Sequence, residues 1–127
     1  MGMKVGAFGL VPLSRNETHE KIFKMFSKEK RGKVLDIPTG TGVLADRLHK
    51  LGFEVSCCDI NLSFFAAKDL KILFGDMNKS LPYEVEYFDY IACLEGLEHT
   101  EPPFNAIKEF SRVLKWKGRL FSRFLIT

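Results

Sequence analysis

Apolar and polar positions change period along this chain, and the changes mark its elements. From Glu17 to Ser27, Ile22, Phe23 and Phe26 recur at helical spacing with Lys21 and Lys24 among them, which predicts an amphipathic helix packed on one face. Asn16 is placed to cap it, since its side chain can accept from a free helical N–H. Lys33–Ile37 reads as a first strand, and Pro38 holds Ile37 extended and ends the pairing there. A helix beginning near Thr41 places Leu44, Leu48 and Leu51 on one stripe, with Gly52 just past its end. Phe53–Cys58 is a second strand, ending in Asp59. Asn61 or Ser63 can cap a short helix through Lys68, and Leu70–Phe74 is a third strand stopped by Gly75-Asp76. After the polar connection Met77–Glu86, Phe88–Leu94 is a fourth strand. Pro102 and Pro103 suit the first turn of another helix, which carries Ile107, Phe110, Ser111 and Leu114 along one face. Lys117-Gly118 reads as a turn and Arg119–Ile126 as a fifth strand.

Strands alternating with short helical crossovers imply parallel strands with helices on both faces, an α/β, Rossmann-like, doubly wound and mainly parallel sheet. Met1–Arg15 has no clear periodicity and reads as an N-terminal arm, leaving residues 16–127 as one domain. The 12 phenylalanines are numerous for 127 residues and point to an aromatic core before an apolar pocket.

Charge and cysteine usage narrow the class. The net charge of +3 is mild and does not call for nucleic acid. Lys28, Lys30, Arg31 and Lys33 read as a solvated helix end with cations near its C-terminus. Cys57, Cys58 and Cys93 show no metal spacing, no metal site is expected, and all three read as small buried hydrophobes in a reducing compartment. No stretch approaches the roughly 20 apolar residues that span a bilayer, and no signal peptide is visible, so the expectation is a soluble cytoplasmic protein without a membrane partner.

The chemistry concentrates where the first strand breaks into Asp36-Ile37-Pro38-Thr39-Gly40-Thr41-Gly42. Gly40 to Ala45 formally fits the dinucleotide pattern G-x-G-x-x-G/A, and Asp59 follows 17 residues after Gly42. Alone this says only that an adenosine-like ligand sits on a Rossmann-type sheet. Asp36 tilts the choice, because a carboxylate held four positions before Gly40 repels a pyrophosphate and suits a cationic ligand.

Val34–Gly42 resembles the first motif of the class I S-adenosylmethionine-dependent methyltransferases, and the likeness continues in order over about residues 20 to 124. It implies S-adenosylmethionine as cofactor, met by Asp36, Thr39, Gly40 and Gly42. It places Asp59 on the ribose hydroxyls with Ile60 beside the adenine, and Asp76 and Met77 at the adenine edge. Phe88–Ile91 resembles the family's fourth strand, and Leu94–His99 the segment that follows it. By position, Leu94 and Glu95 stand at the cofactor's methyl end. Glu98 and His99 are the candidate catalytic pair, needed only if the acceptor must lose a proton. His19 and His49 read as ordinary surface residues on helices.

Three departures stand out. Pro38 occupies the place of the family's first glycine, and Trp116-Lys117 replaces a usual Pro-Gly. The sheet also lacks the family's usual last two strands, which leaves the fifth strand as an exposed edge through which a homo-oligomer could form. The resemblance implies methyl transfer to a small-molecule acceptor. Two alternatives stay open at this point: a catalytically incomplete domain of the same fold that binds cofactor or a partner, and a dinucleotide-binding oxidoreductase domain.

Overall fold

The computed structural model describes residues 4–6, 15–94 and 104–122, with side chains from residue 16 onward. The central strand, β2 (Lys33–Asp36), shows how the layers arise. Successive side chains on a strand point to opposite faces. Val34 therefore enters one core cluster and Leu35 the other, and both are fully buried. β5 (Phe88–Cys93) repeats the alternation, with Tyr90 and Ala92 on the Val34 side and Ile91 and Cys93 on the Leu35 side. In β6 (Leu114–Ser122), Phe121 and Leu120 part in the same way.

Helices cover both faces. On the Val34 face lie α1 (Arg15–Ser27), through Ile22 and Phe26, and α2 (Val43–Lys50), through Leu44 and Leu48. Phe26 is the centre of an aromatic cluster, with ring centroids 4.5 Å from Phe121 and 5.6 Å from both Phe53 and Tyr90. The Leu35 face carries α3 (Phe104–Val113), through Ala106, Phe110 and Val113. Most of the buried phenylalanines are thus core, as expected, while Phe64, Phe74 and Phe104 are exposed.

The sheet adds β3 (Glu54–Asp59) and β4 (Ile72–Phe74) on one side and β1 (Lys4–Gly6) on the other, in the order β1-β6-β5-β2-β3-β4. Every strand pair among the described residues is parallel. The doubly wound α/β sheet is the one anticipated, with one addition. Lys4–Gly6, inside the stretch expected to be an arm, pairs with Arg119 to Phe121. The β6 edge expected to be bare is therefore occupied along these residues, because the backbone groups of a sheet edge find partners in whatever extended segment lies alongside. The edge anticipated for a homo-oligomer is not free there.

Other expectations need correction. Asn16 sits inside the first turn of α1, which begins at Arg15, and so does not cap it. No helix forms between Asn61 and Lys68. The Asn61 side chain instead accepts from Ser63 N–H at 3.0 Å and Ser63 hydroxyl at 2.7 Å, a local turn that competes with helix. Ala66 N–H is tied to the Thr41 carbonyl at 3.0 Å. Lys117-Gly118 is no turn between elements but part of an irregularity within β6. There the register passes from Phe88↔Leu114 to Tyr90↔Arg119, and Lys117 has a φ of 65°. Pro102, Pro103 and the end of the expected fifth strand lie outside the described residues.

A partly buried ion pair ties α3 to the loop after β4. Glu109 accepts from Leu81 N–H at 2.7 Å and from both Nε (3.0 Å) and Nη2 (2.7 Å) of Arg112. Arg112 also donates to the carbonyls of Tyr83 at 2.7 Å and Leu81 at 3.0 Å. Asn105 donates to the carbonyls of Met77 at 2.8 Å and Lys79 at 3.0 Å. The loop is thereby held along its length by one helix, and Arg112 keeps the Glu109 carboxyl below the usual carboxylate range. Glu109→Ala leaves the Leu81 N–H unpaired and Arg112 without its carboxylate, and is expected to cost about 2 kcal/mol of stability. Urea unfolding followed by circular dichroism measures this. Glu109→Gln, which keeps an acceptor, is expected to lose less.

Candidate functional site

The alternation that sorts the core also sets the site. Asp36 has the same parity as Val34, so at the end of β2 it turns toward α1 and α2, and only 3% of it is exposed. Beyond it the chain turns through Pro38 to Gly42. Thr39 donates its hydroxyl to Asp36 Oδ2 at 2.8 Å, and Thr39 N–H donates to the Cys58 carbonyl at 3.0 Å. The result is a cleft of about 400 Å³ at the C-terminal end of β2. Its wall includes Asp36, Pro38, Thr39 and Gly40 from the loop, Leu44 from α2, and Asn16 and His19 from α1.

The two loop glycines do different work. Gly40 has a φ of 58°, and a Cβ built there would meet no protein atom within 4 Å, so its surface is open for close approach by a ligand. Gly42, at the start of α2 with a φ of 89°, faces the protein instead. A Cβ there would lie 2.8 Å from the Phe65 ring and 2.9 Å from Ala67. Gly42 shapes the turn and does not line the cleft.

Asp59, at the end of β3, accepts from Gly40 N–H at 2.9 Å through one carboxylate oxygen and from Asn61 N–H at 3.0 Å through the other. Each oxygen keeps a second acceptor position. Ile60 beside it is 58% exposed, an apolar surface next to an acid. Asp76 accepts from Asn78 N–H at 2.9 Å and is half-buried. The Met77 side chain packs against the core. Leu94 reaches the cleft, so Asp36, Thr39, Gly40 and Leu94 share it. Asp59 adjoins through Gly40, whereas Ile60, Asp76 and Met77 are not part of this wall. Glu95, Glu98 and His99 lie outside the described residues. Among the described residues no cluster of three metal-binding side chains occurs, and no helix is long and apolar enough to cross a membrane. Cys57, Cys58 and Cys93 are buried and in no disulfide among the described residues, and burial raises the Cys57 and Cys58 thiols to about 11.

Asp36 is electrostatically unusual. Burial raises its carboxyl to about 7, the Thr39 hydrogen bond opposes this, and the nearby charge of Asp59 adds to it. The site therefore holds a carboxyl poised between its two forms, in a place where a cation would fix the charged one.

His19 is the residue the sequence reading missed. It was expected on the surface, yet it lines the cleft half-buried, and its Nε2 is shielded from solvent without a hydrogen-bond partner among the described residues. Burial first, and then the charge of Arg47, lower its pKa, against a smaller opposing effect of Glu20. Arg47 is itself fixed by Glu20 at 2.8 Å and lies 3.7 Å over the Phe23 ring. A signal existed in the sequence: His19 falls on the helical stripe of Ile22, Phe23 and Phe26, which pack inward. An unpartnered buried nitrogen costs about 1–3 kcal/mol, so its retention asks for a reason.

Comparison with known proteins agrees with this architecture. A family model described as "Methyltransferase domain" matches residues 35–122, most of the chain, and the chain belongs to that family. The cofactor of the family is S-adenosylmethionine. Among individual relatives, the chain is 33% identical over 100 residues to the ubiquinone biosynthesis O-methyltransferase of Thiobacillus denitrificans, covering 70% of this chain and 42% of that one. It is 39% identical over 102 residues to the ubiquinone/menaquinone biosynthesis C-methyltransferase of Chromobacterium violaceum, covering 70% and 41%. Among solved structures, PH0226 protein of Pyrococcus horikoshii superposes with a TM-score of 0.72 at 33% identity, covering 84% of this chain and 51% of that one. The chain thus spans less than half the length of these two enzyme relatives. The residues present fit the family's cofactor: an open glycine surface beside a buried acid offers room for an amino-acid moiety and a counter-charge for its cation.

The sign of the Asp36 effect on folding is testable. A carboxyl whose folded pKa lies above its unfolded value stabilises the fold fully below about pH 4, and that contribution is lost as pH rises through about 7. Asp36→Asn removes the ionisation. Its stability advantage over the wild type is expected to grow between pH 4 and 7, by at most about 1.4 kcal/mol per pH unit, and to be flat above pH 8. Thermal melts across that range check this.

Proposed function

We propose that this chain carries the cofactor half of an S-adenosylmethionine-dependent methyltransferase acting on a small-molecule acceptor. The observation that carries the reading is Asp36: a buried carboxyl, raised by burial, at the head of a cleft whose glycine wall is open. A diphosphate would add negative charge to that place, whereas an ammonium and a sulfonium lower the cost of ionising the acid. The relatives named for quinone biosynthesis methylate oxygen in one case and carbon in the other, so they support a small organic acceptor without choosing the atom.

When bound, the cofactor supplies an electrophilic methyl group on a sulfonium that departs as a neutral thioether. The protein therefore needs no acid for the leaving group. Its own residues hold and orient. Thr39 keeps the Asp36 carboxyl turned toward the cleft, Gly40 allows close contact, and Asp59 has acceptor positions left for a pair of hydroxyls. Leu44 and Leu94 put apolar surface beside that space. Positioning of this kind is the larger part of what such a displacement requires.

The test is the affinity order of two variants. By calorimetry, Asp59→Ala is expected to weaken S-adenosylmethionine roughly tenfold or more, and His99→Ala by less than about threefold. Gly40→Ala, which places a Cβ on the open wall and strains the loop at its φ of 58°, is expected to weaken binding about tenfold or more, with thermal melts recorded alongside to separate a lost contact from a lost fold. The reverse order for Asp59 and His99 would count against the site as drawn.

A further inference from the structure

We propose that the outer edge of β4 pairs with the same edge of a second copy of this chain, antiparallel about a two-fold axis through Leu73, so that the two sheets become one.

The two ends of the sheet differ. At one end Lys4–Gly6 closes the β6 edge. At the other, β4 is the terminal strand and pairs only with β3 among the described residues. Its side chains lie open as well. Leu73 is 47% exposed and Phe74 59%, and no helix forms between Asn61 and Lys68 to cover them. They stand on opposite faces of the sheet. Leu73 is aligned with Cys58, which enters the core on the α3 side, and Phe74 with Asp59 on the other side. A partner laid on one face leaves the other in water. A strand added at the edge sets side chains beside both.

The backbone selects the register. Gly75 N–H donates to the Asp59 carbonyl at 3.1 Å, so Leu73 and Gly75 direct their backbone groups toward β3. Ile72 and Phe74 alternate with them and direct theirs outward. A copy rotated about an axis perpendicular to the sheet presents the same residues in reverse order. Ile72 then meets the partner's Phe74 as a hydrogen-bonded pair on each side of the axis, and the outward groups of both residues are satisfied. Leu73 meets the partner's Leu73 on the axis as the closer, non-hydrogen-bonded pair, with about 4.5 Å between Cα atoms. Each of these cross-strand pairs is apolar.

Charge fixes the direction. Lys71 immediately precedes β4, and Asp76 follows shortly after its end. Antiparallel pairing brings each Lys71 to the end where the partner's Asp76 stands. Parallel pairing sets lysine beside lysine and acid beside acid, which is unfavourable. The strand is thus its own complement in hydrogen bonds, apolar pairs and charge, as an isologous contact requires. With 3 residues in each strand the contact is small, and its Kd is on the order of 100 µM. No residue of β4 lines the cleft, so the proposal stands apart from the methyl-transfer reading.

Sedimentation velocity of the full chain between about 5 and 500 µM is expected to show monomer passing to dimer, and no larger species. Cysteine cross-linking reads the register, since Cys57, Cys58 and Cys93 are buried. Leu73→Cys faces its own copy at a separation that a disulfide spans, and is expected to link as dimer under mild oxidation. Ile72→Cys lies roughly 8 Å from its counterpart and is expected to run as monomer on a denaturing gel. Leu73→Lys puts like charges on the axis and is expected to weaken association about tenfold or more. Trp116→Ala, which removes an exposed apolar residue from β6, is expected to leave association unchanged. Monomer throughout the range, growth beyond dimer, equal linkage of Ile72→Cys and Leu73→Cys, or association lost in Trp116→Ala and kept in Leu73→Lys overturns the proposal. Sedimentation is measured on the wild type, so a misfolded variant does not obscure the result.

Discussion

The parity of β2 governs both the fold and the site. Its residues alternate between two helix-covered faces, and Asp36 is the last of the series that faces α1 and α2. A carboxyl in that place has lost its water and has one hydroxyl, Thr39, as partner. Shifting the strand by one residue would send Asp36 to the α3 side and break both cores at once. The aromatic cluster around Phe26 and the acid at the strand end are thus consequences of a single register.

That dependence explains what was legible. Strands read well because their apolar runs are bounded by Pro38, Gly52 and Gly75, each a local stop, and the two-faced core follows from alternation alone. The Gly40 loop and Asp59 could be placed from spacing, and the structure joins them by a direct hydrogen bond. The segment after Asp59 was misjudged because Asn61 and Ser63 serve a helix cap and a free-standing turn equally well. Lys4–Gly6 was missed as a strand because three residues carry no period, and only the β6 edge beside it makes it one.

The site was legible in the same uneven way. Residues inside the glycine loop could be named, but spacing could not separate Gly40, which opens on the cleft, from Gly42, which packs on Phe65 and Ala67. His19 was passed over because a histidine among lysines and glutamates looks solvated. Its place depends on how α1 crosses α2, fixed by Arg47 between Glu20 and Phe23. Tertiary contacts of that kind are not written in a local pattern. The clamp of Glu109 and Arg112 on residues 81 to 83 is a further case, joining segments 28 to 31 residues apart.

The most direct measurement of the central claim, that a buried acid at the end of β2 selects a cationic adenosyl ligand, is a calorimetric titration at pH 6 and pH 8. The ligands are S-adenosylmethionine and NAD. The account predicts that S-adenosylmethionine binds, that it binds more tightly at pH 8 because Asp36 must ionise beside the cation, and that NAD does not compete. Binding of NAD in preference to S-adenosylmethionine, or a cofactor affinity indifferent to pH across that range, would contradict it.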